Sequence, residues 1–330
     1  MKYTKNLLGI SLVGILFMLA IFNPYINIYL TSLKIDAVYV NGKQSALYNK
    51  IKQAAERYYI APQDARIDKV WKAIPGYNGI KVDVDSSYKI MRKEMRFDER
   101  KLVFVQIAPF VHLKDLPPSP IFRGHPDKPM VSLLINVAGG NEYLPEMLAI
   151  LKENSVQATF FLEGRWVKKN PDLVNLIAEN GHELGNHSYS QPNMELLGTS
   201  ETKSEIEKTN EVIEAITDKK VTWFGPPGGR YRNETIEIVH SLKQYTVMWT
   251  IDTIDWNNPS PDKLTQQVMS NVHPGAMILM HPTESTAKAL AEIINKLKSH
   301  HLRIGTVSKL LDEERIIKLQ SSNPDQIYNK

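Results

Sequence analysis

The chain has no cysteine among its 330 residues, which excludes disulfides, cysteine-ligated zinc, a thiol nucleophile and a lipid anchor carried on cysteine. Stability must come from a packed core. No dense run of Lys and Arg accompanies the formal net charge of +4, so nothing marks a nucleic-acid footprint, and only weak attraction to an anionic wall or membrane is allowed. Internal repeats and low-complexity segments are absent too. What is present is ordinary globular usage, 42% hydrophobic and 23% charged residues, over a length that suits one large domain and a smaller one.

The amino-terminal end carries Lys2 and Lys5, and residues 7–22 then form an apolar stretch without a charge. That pattern predicts export, with the charged end held inside. The stretch is shorter than the roughly 20 residues of a spanning helix, but Tyr25, Ile26, Ile28, Tyr29 and Leu30 extend it past Asn23 and Pro24. No small-x-small cleavage site follows. Residues 1–32 are therefore expected to be an uncleaved single-pass membrane anchor or a cleaved signal, with the remainder extracytoplasmic or secreted.

Residues 33–114 suggest a small α+β domain, with short strands near 37–40, 80–84 and 102–107. Leu47, Ile51, Ala54 and Ala55 recur at helical spacing, and Asp85 and Ser86 are candidate caps for a helix reaching Met95. No residues there have chemical spacing, which favours a packing or spacer role over a binding module. Residues 115–129 contain Pro117, Pro118, Pro120, Pro126 and Pro129, each removing a backbone donor and biasing its neighbour toward extended backbone, and read as a linker. A polar tail is expected over 315–330.

Over 130–314 apolar runs and helical patterns alternate: strands at 131–137, 158–162, 221–224, 245–250, 276–280 and 302–305, and helices at 142–153, 171–179, 200–217, 234–242, 262–272 and 286–299. This rhythm predicts a parallel sheet with crossover helices, closed or nearly closed as a (β/α) barrel. Chemistry in such barrels sits at the carboxyl ends of the strands.

At those strand ends stand Ala158-Thr159-Phe160-Phe161, Gly181-His182-Glu183-Leu184-Gly185-Asn186-His187-Ser188, Asp252-x-x-Asp255-Trp256 and Leu279-Met280-His281. In order and spacing they resemble the NodB-homology polysaccharide deacetylases, carbohydrate esterase family 4, over roughly 180 residues, a single-domain size. The overall layout is also similar to membrane-anchored, sporulation-associated deacetylase-like proteins of bacilli. The resemblance implies an α/β fold, a deformed (β/α) barrel of the polysaccharide-deacetylase type, preceded by the small α+β domain and an export or anchor helix. It also implies hydrolysis of an N-acetyl group on a cell-wall glycan, an N-acetylhexosamine polymer. A divalent ion such as zinc, held by one Asp and two His, would polarise the acetyl carbonyl and the attacking water.

Where the family has Thr-Phe-Asp-Asp-Gly, the run leading to Glu142-Tyr143-Leu144-Pro145 reads Leu134-Ile135-Asn136-Val137-Ala138. Asn136 takes the place of the general base, and an amide does not accept a proton near neutral pH. Val137 replaces a ligating carboxylate. His187 matches the first ligand histidine, while the second position is Gln191. One ligand of three leaves an incomplete set, so no cofactor is expected. The family's Phe-Arg-Pro-Pro-Tyr-Gly becomes Phe224-Gly225-Pro226-Pro227-Gly228-Gly229, which loses the Arg that braces the base; Arg230 is nearby but displaced.

The resemblance keeps the other half: His281 as the acid that protonates the leaving amine, Asp255 as its partner, and Trp256, Leu279 and Pro227 as the wall that seats the acetyl methyl and the sugar. The expectation is a degenerate carbon–nitrogen hydrolase with weak or no activity, or a non-catalytic glycan-binding or wall-associated scaffold protein. Its partners are then cell-wall polysaccharide and, through the amino-terminal helix, the membrane, with no nucleic acid. Structural roles stand beside these. His187 is as well explained by a hydrogen bond at a turn, and Asp255 with His281 by a buried stabilising pair. His182 suits a structural role, Asp252 a turn cap, and Gly139-Gly140 a turn. His112, His125, His240, His273, His300 and His301 lack partner spacing and are expected at the surface or in loops.

Overall fold

The computed structural model describes residues 24–316. The apolar stretch 7–22 and the tail beyond residue 316 lie outside the described residues. Among the described residues no helix is long and apolar enough to cross a membrane. The described residues divide into two compact units, 24–60 with 80–105 and 61–79 with 106–316.

The first unit is built on helix α1 (Pro24–Arg57), which includes the residues 37–40 expected as a strand. A four-residue apolar run cannot separate strand from buried helix by periodicity, and the helix continues through it. Leu47, Ile51, Ala54 and Tyr58 form a buried stripe at helical spacing. Buried Ile80 and Val82 come from strand β3 (Gly79–Asp83), which pairs with β4 (Val103–Ile107). Between them helix α2 (Val84–Met91) is capped not by Asp85 or Ser86 but by Asp83, whose carboxylate accepts from the Ser86 N–H at 2.9 Å.

The second unit holds the hairpin of β1 (Arg66–Asp68) and β2 (Lys72–Ile74) and an eight-stranded sheet. Its central strand is β5 (Met130–Val137), followed in the chain by α3 (Leu144–Glu153), β6 (Thr159–Leu162), α4 (Gly164–Lys169), α5 (Pro171–Glu179) and β7 (Glu183–Asn186). Next come α6 (Thr199–Thr217), β8 (Trp223–Phe224), α7 (Asn233–Ser241), β9 (Tyr245–Thr246), β10 (Ile251–Asp252) and α8 (Pro261–Asn271). The last are β11 (Met277–Met280), α9 (Glu284–Ser299), β12 (Arg303–Gly305) and α10 (Val307–Leu311). The strands run β10-β11-β5-β6-β7-β8-β9, all parallel, with β12 pairing the first half of β5. The architecture is α/β, with a parallel sheet curled into a half-barrel.

Period-two alternation on β5 sets the two faces. Val131, Leu133, Ile135 and Val137 face the helix layer, with Leu144, Met147, Leu290 and Ile294. Met130 and Leu134 face the concave side, with Phe161, Trp223, Met277 and Leu279.

The strand expected over 245–250 is split. Val247 bonds back to Phe224, whereas Thr250 already bonds to Met277, so the chain leaves one neighbour for another within four residues. The proline-rich residues 115–129 fall within the second unit. There Ile121 donates to Thr246 O at 2.9 Å and accepts from Met248 N at 2.8 Å, covering the open edge beside β9. The hairpin attaches to the same segment, the Ala73 N–H reaching Pro120 O at 3.1 Å.

Candidate functional site

The carboxyl ends of β11, β5, β6, β7 and β8 lie side by side, and that order decides which side chains meet. Met280 pairs with Ile135, which brings His281 level with Asn136. Val137 pairs with Leu162, and the His187 N–H donates to Leu162 O at 3.0 Å. Gly225 N–H donates to Asn186 O at 2.9 Å. Asn136, two residues beyond Leu134, shares the concave face and is 6% exposed.

The most complete part of the site is the His281–Asp255 pair. Asp255 starts a single 3-10 turn, Asp255–Asn257, flanked by two left-handed residues, Ile254 at φ 52° before it and Asn258 at φ 48° after it. Asp252 caps the approach, its carboxylate accepting from the Ile254 N–H at 2.9 Å. Fully buried, the Asp255 carboxylate accepts from His281 Nδ1 at 2.8 Å, the His281 backbone N–H at 2.5 Å and the Thr286 hydroxyl at 2.6 Å. Three donors compensate the loss of water around the charge. Because Nδ1 donates to the carboxylate, Nε2 is the nitrogen turned toward a ligand, and the His281 side chain is 32% exposed.

His187 is buried, and its Nδ1 lies 2.7 Å from Gly225 O. A carbonyl only accepts, so Nδ1 carries the proton and Nε2 the lone pair. Burial chiefly, with a smaller repulsion from His281, lowers its pKa to about 4 against the pull of the Gly225 carbonyl. The two rings therefore share one electrostatic neighbourhood. His187 is hydrogen-bonded at a turn, the structural role expected of it, and its Nε2 lone pair is the atom that a ligand role would use.

The rest of a ligand set is missing. Val137 is fully buried in the helix-facing cluster, on the opposite strand face from Asn136. Gln191 is exposed, at φ 52°, with its N–H bonded to Ser188 Oγ at 3.0 Å. Among the described residues no group of three or more His, Cys, Asp or Glu is placed to hold a metal ion. One imidazole, an amide and an apolar side chain are not a donor set for a divalent cation. At the third motif, a Cβ on Gly225 would lie 2.9 Å from the Phe161 ring, so that ring closes the space beside the strand end where the family's Arg begins.

Leu279 is buried with Phe161 and Leu134 on the concave face, and Pro227 is buried in the turn Pro227–Gly229. Trp256 stands 66% exposed beside Asp255. His182 is structural as expected: Nδ1 accepts from the Ala158 N–H at 3.2 Å, and burial lowers its pKa to about 4. His125 lies in a loop, one of the two places expected, but it is fully buried and stacked on Tyr77 with ring centroids 4.8 Å apart, because the proline-rich segment folds into the second unit. Three functional partners were missed from sequence: Thr286, the Gly225 carbonyl, and Glu205, whose carboxylate gathers the Tyr189 and Ser190 N–H groups at 3.0 and 2.8 Å. Only Thr286 had a local signal, the Thr283-x-x-Thr286 spacing of a helix start.

Residues 123–247 match the polysaccharide deacetylase family. The chain is 50% identical over 296 residues to YlxY of Bacillus subtilis, covering 90% of this chain and 93% of that protein. It is 32% identical over 199 residues to a peptidoglycan-N-acetylglucosamine deacetylase of Bacillus cereus, covering 59% of this chain and 72% of that enzyme. Among solved structures it is similar to BA3943 of Bacillus anthracis, described as a carbohydrate esterase family 4 pseudoenzyme, at 53% identity and a TM-score of 0.77, covering 82% of this chain and 96% of that one. A mutant of BA3943 is described as having restored enzymatic activity. With a curled parallel sheet, a buried Asp255–His281 pair and His187 at neighbouring strand ends, and relatives of this kind along most of its length, the chain belongs to the polysaccharide deacetylase family, carbohydrate esterase family 4.

Proposed function

We propose that this protein engages the N-acetylhexosamine polymer of cell-wall peptidoglycan without efficient deacetylation. Its sheet closes as the family's deformed (β/α) barrel, and residues 1–32 place it outside the cytoplasmic membrane, as an anchor or a cleaved signal. Asn136 carries the proposal. It sits on the concave face at the strand end level with His281, where hydrolysis needs a group that takes a proton from water. His281, oriented by Asp255, retains the means to hand a proton to a leaving amine. Among the described residues no metal-ligand set stands beside it to generate the nucleophile that must attack first. Trp256, exposed at the rim, supplies a flat apolar face on which a sugar ring stacks.

The test is retention of the full chain on insoluble peptidoglycan, read beside metal content and acetate release. Retention with background acetate and sub-stoichiometric zinc is expected. Stoichiometric zinc with steady turnover overturns the inactive site, and a chain left wholly in the supernatant overturns glycan binding in favour of a scaffold role. Asn136→Asp with Gln191→His is expected to raise zinc binding and acetate release, whereas Val137→Asp, directed at the helix layer, is not expected to supply a ligand. The restored mutant of BA3943 supports the idea that a site of this family is repairable.

A further inference from the structure

The tip of the hairpin β1–β2 breaks two rules of turn composition. Its loop, Lys69-Val70-Trp71, carries two large apolar side chains where turns are normally polar, with Val70 68% and Trp71 36% exposed, and Ile67 on β1 is 45% exposed. Lys72 holds φ 58°, a conformation that favours Gly or Asn. A sequence selected only to close this turn would not carry them.

The tip is rigidly mounted. Asp68 accepts from the Val70 and Trp71 N–H groups, both at 2.8 Å, and the strands pair Asp68 with Lys72 and Arg66 with Ile74. Buried Ala73 ties the hairpin to Pro120. Around the apolar tip stand Arg66, Lys69 and Lys72, all exposed, and Arg123, whose guanidinium lies 5.7 Å over the Trp71 ring. Four cations surround one carboxylate, that of Asp68, which already caps the turn.

We infer that this tip is a membrane-interface wedge: Val70 and Trp71 enter the boundary between headgroups and acyl chains of an anionic bilayer, while Arg66, Lys69, Lys72 and Arg123 face lipid phosphates. Tryptophan is favoured at that depth, and each basic residue near an anionic surface contributes about 1 kcal/mol. A neutral glycan would stack on Trp71 but leave Val70, Ile67 and the exposed Arg66, Lys69 and Lys72 without complement.

The absence of cysteine makes the test specific, since Val70→Cys gives the full chain a single thiol for an environment-sensitive fluorophore. On vesicles of equal phosphatidylglycerol and phosphatidylcholine the label is expected to shift to the blue and to be quenched by brominated acyl chains. A label at Glu237→Cys, on an exposed position of α7, is expected to stay water-like. Adding Arg66→Gln and Lys69→Gln to the Val70→Cys chain is expected to move the equilibrium about 30-fold toward the water-like state, two charges at the surface value given above. A label at 70 that stays water-like on anionic vesicles overturns the inference. So does one that shifts equally with soluble dextran sulfate or peptidoglycan fragments in the absence of lipid.

Discussion

An amide at position 136 keeps the outline and much of the hydrogen-bonding capacity of a carboxylate while giving up its negative charge and its affinity for a proton. Asn136 therefore replaces a carboxylate in its buried place with little change of shape, whereas Asp255, paired with His281, keeps three donors on its carboxylate. Thr286→Val removes one of the three donors to a buried charge and is expected to cost about 1–3 kcal/mol, seen as a lower denaturant midpoint. Trp256→Ala, at an exposed ring, is expected to leave that midpoint unchanged and to reduce retention on peptidoglycan. A loss of retention with Thr286→Val but none with Trp256→Ala would place the sugar elsewhere. Val137→Asp sets a carboxylate into the helix-facing core rather than toward His187. Alone it is expected to lower stability by about 2–5 kcal/mol, measured by the same unfolding curve.

At the scale of elements, the site is shaped by loops that only particular backbones allow. Gly140 follows β5 at φ 70°, and a Cβ there would lie 2.0 Å from the Pro282 carbonyl oxygen, one residue beyond His281. Gly140→Ala is expected to destabilise by about 3 kcal/mol or more and to displace the His281 loop, which a shift of the His281 ring resonances would report. In the first unit Asp83→Ala removes the cap of α2, and a loss of about 1 kcal/mol is expected from the unfolding curve. The edge of β9 is covered by Ile121, a single buried residue within a proline-rich segment. Prolines on either side of it, at 120 and 126, withhold donors that would otherwise extend pairing.

For the whole molecule, three buried histidines make stability sensitive to acid. His125, His182 and His187 each have a pKa lowered to about 4, chiefly by burial. In the unfolded chain they bind protons near pH 6.5. Between about 6.5 and 4 the unfolded state therefore holds more protons than the folded one. Stability from these groups is intact above that window, falls as pH drops through it, and falls no further below about 4. A loss on the order of several kcal/mol is expected, read as a melting temperature that declines from pH 7 to pH 4. Replacing His125 with Gln is expected to flatten that slope. An unchanged slope would remove His125 from the groups that set the acid sensitivity.

Much of this protein was legible in its amino-acid order. Alternating apolar runs and helical spacings located most strands and helices of the second unit, because each is a local periodicity. The clustered residues around His187, Asp255 and His281 pointed to the family, and the residues at 136, 137, 191 and 225 raised the expectation of a degenerate site. Other features depended on contacts between distant segments. That Val137 turns its back on Asn136, that Gly225 supplies the carbonyl fixing the His187 tautomer, and that Thr286 completes the Asp255 shell follow from strand register and curl. The fate of residues 115–129, the burial of His125 and the exposed tip at Val70 and Trp71 were likewise decided by tertiary structure. Local chemistry is written in neighbours along the chain, but which groups face one another is set by the packing of the whole sheet, and no short window of sequence contains that information.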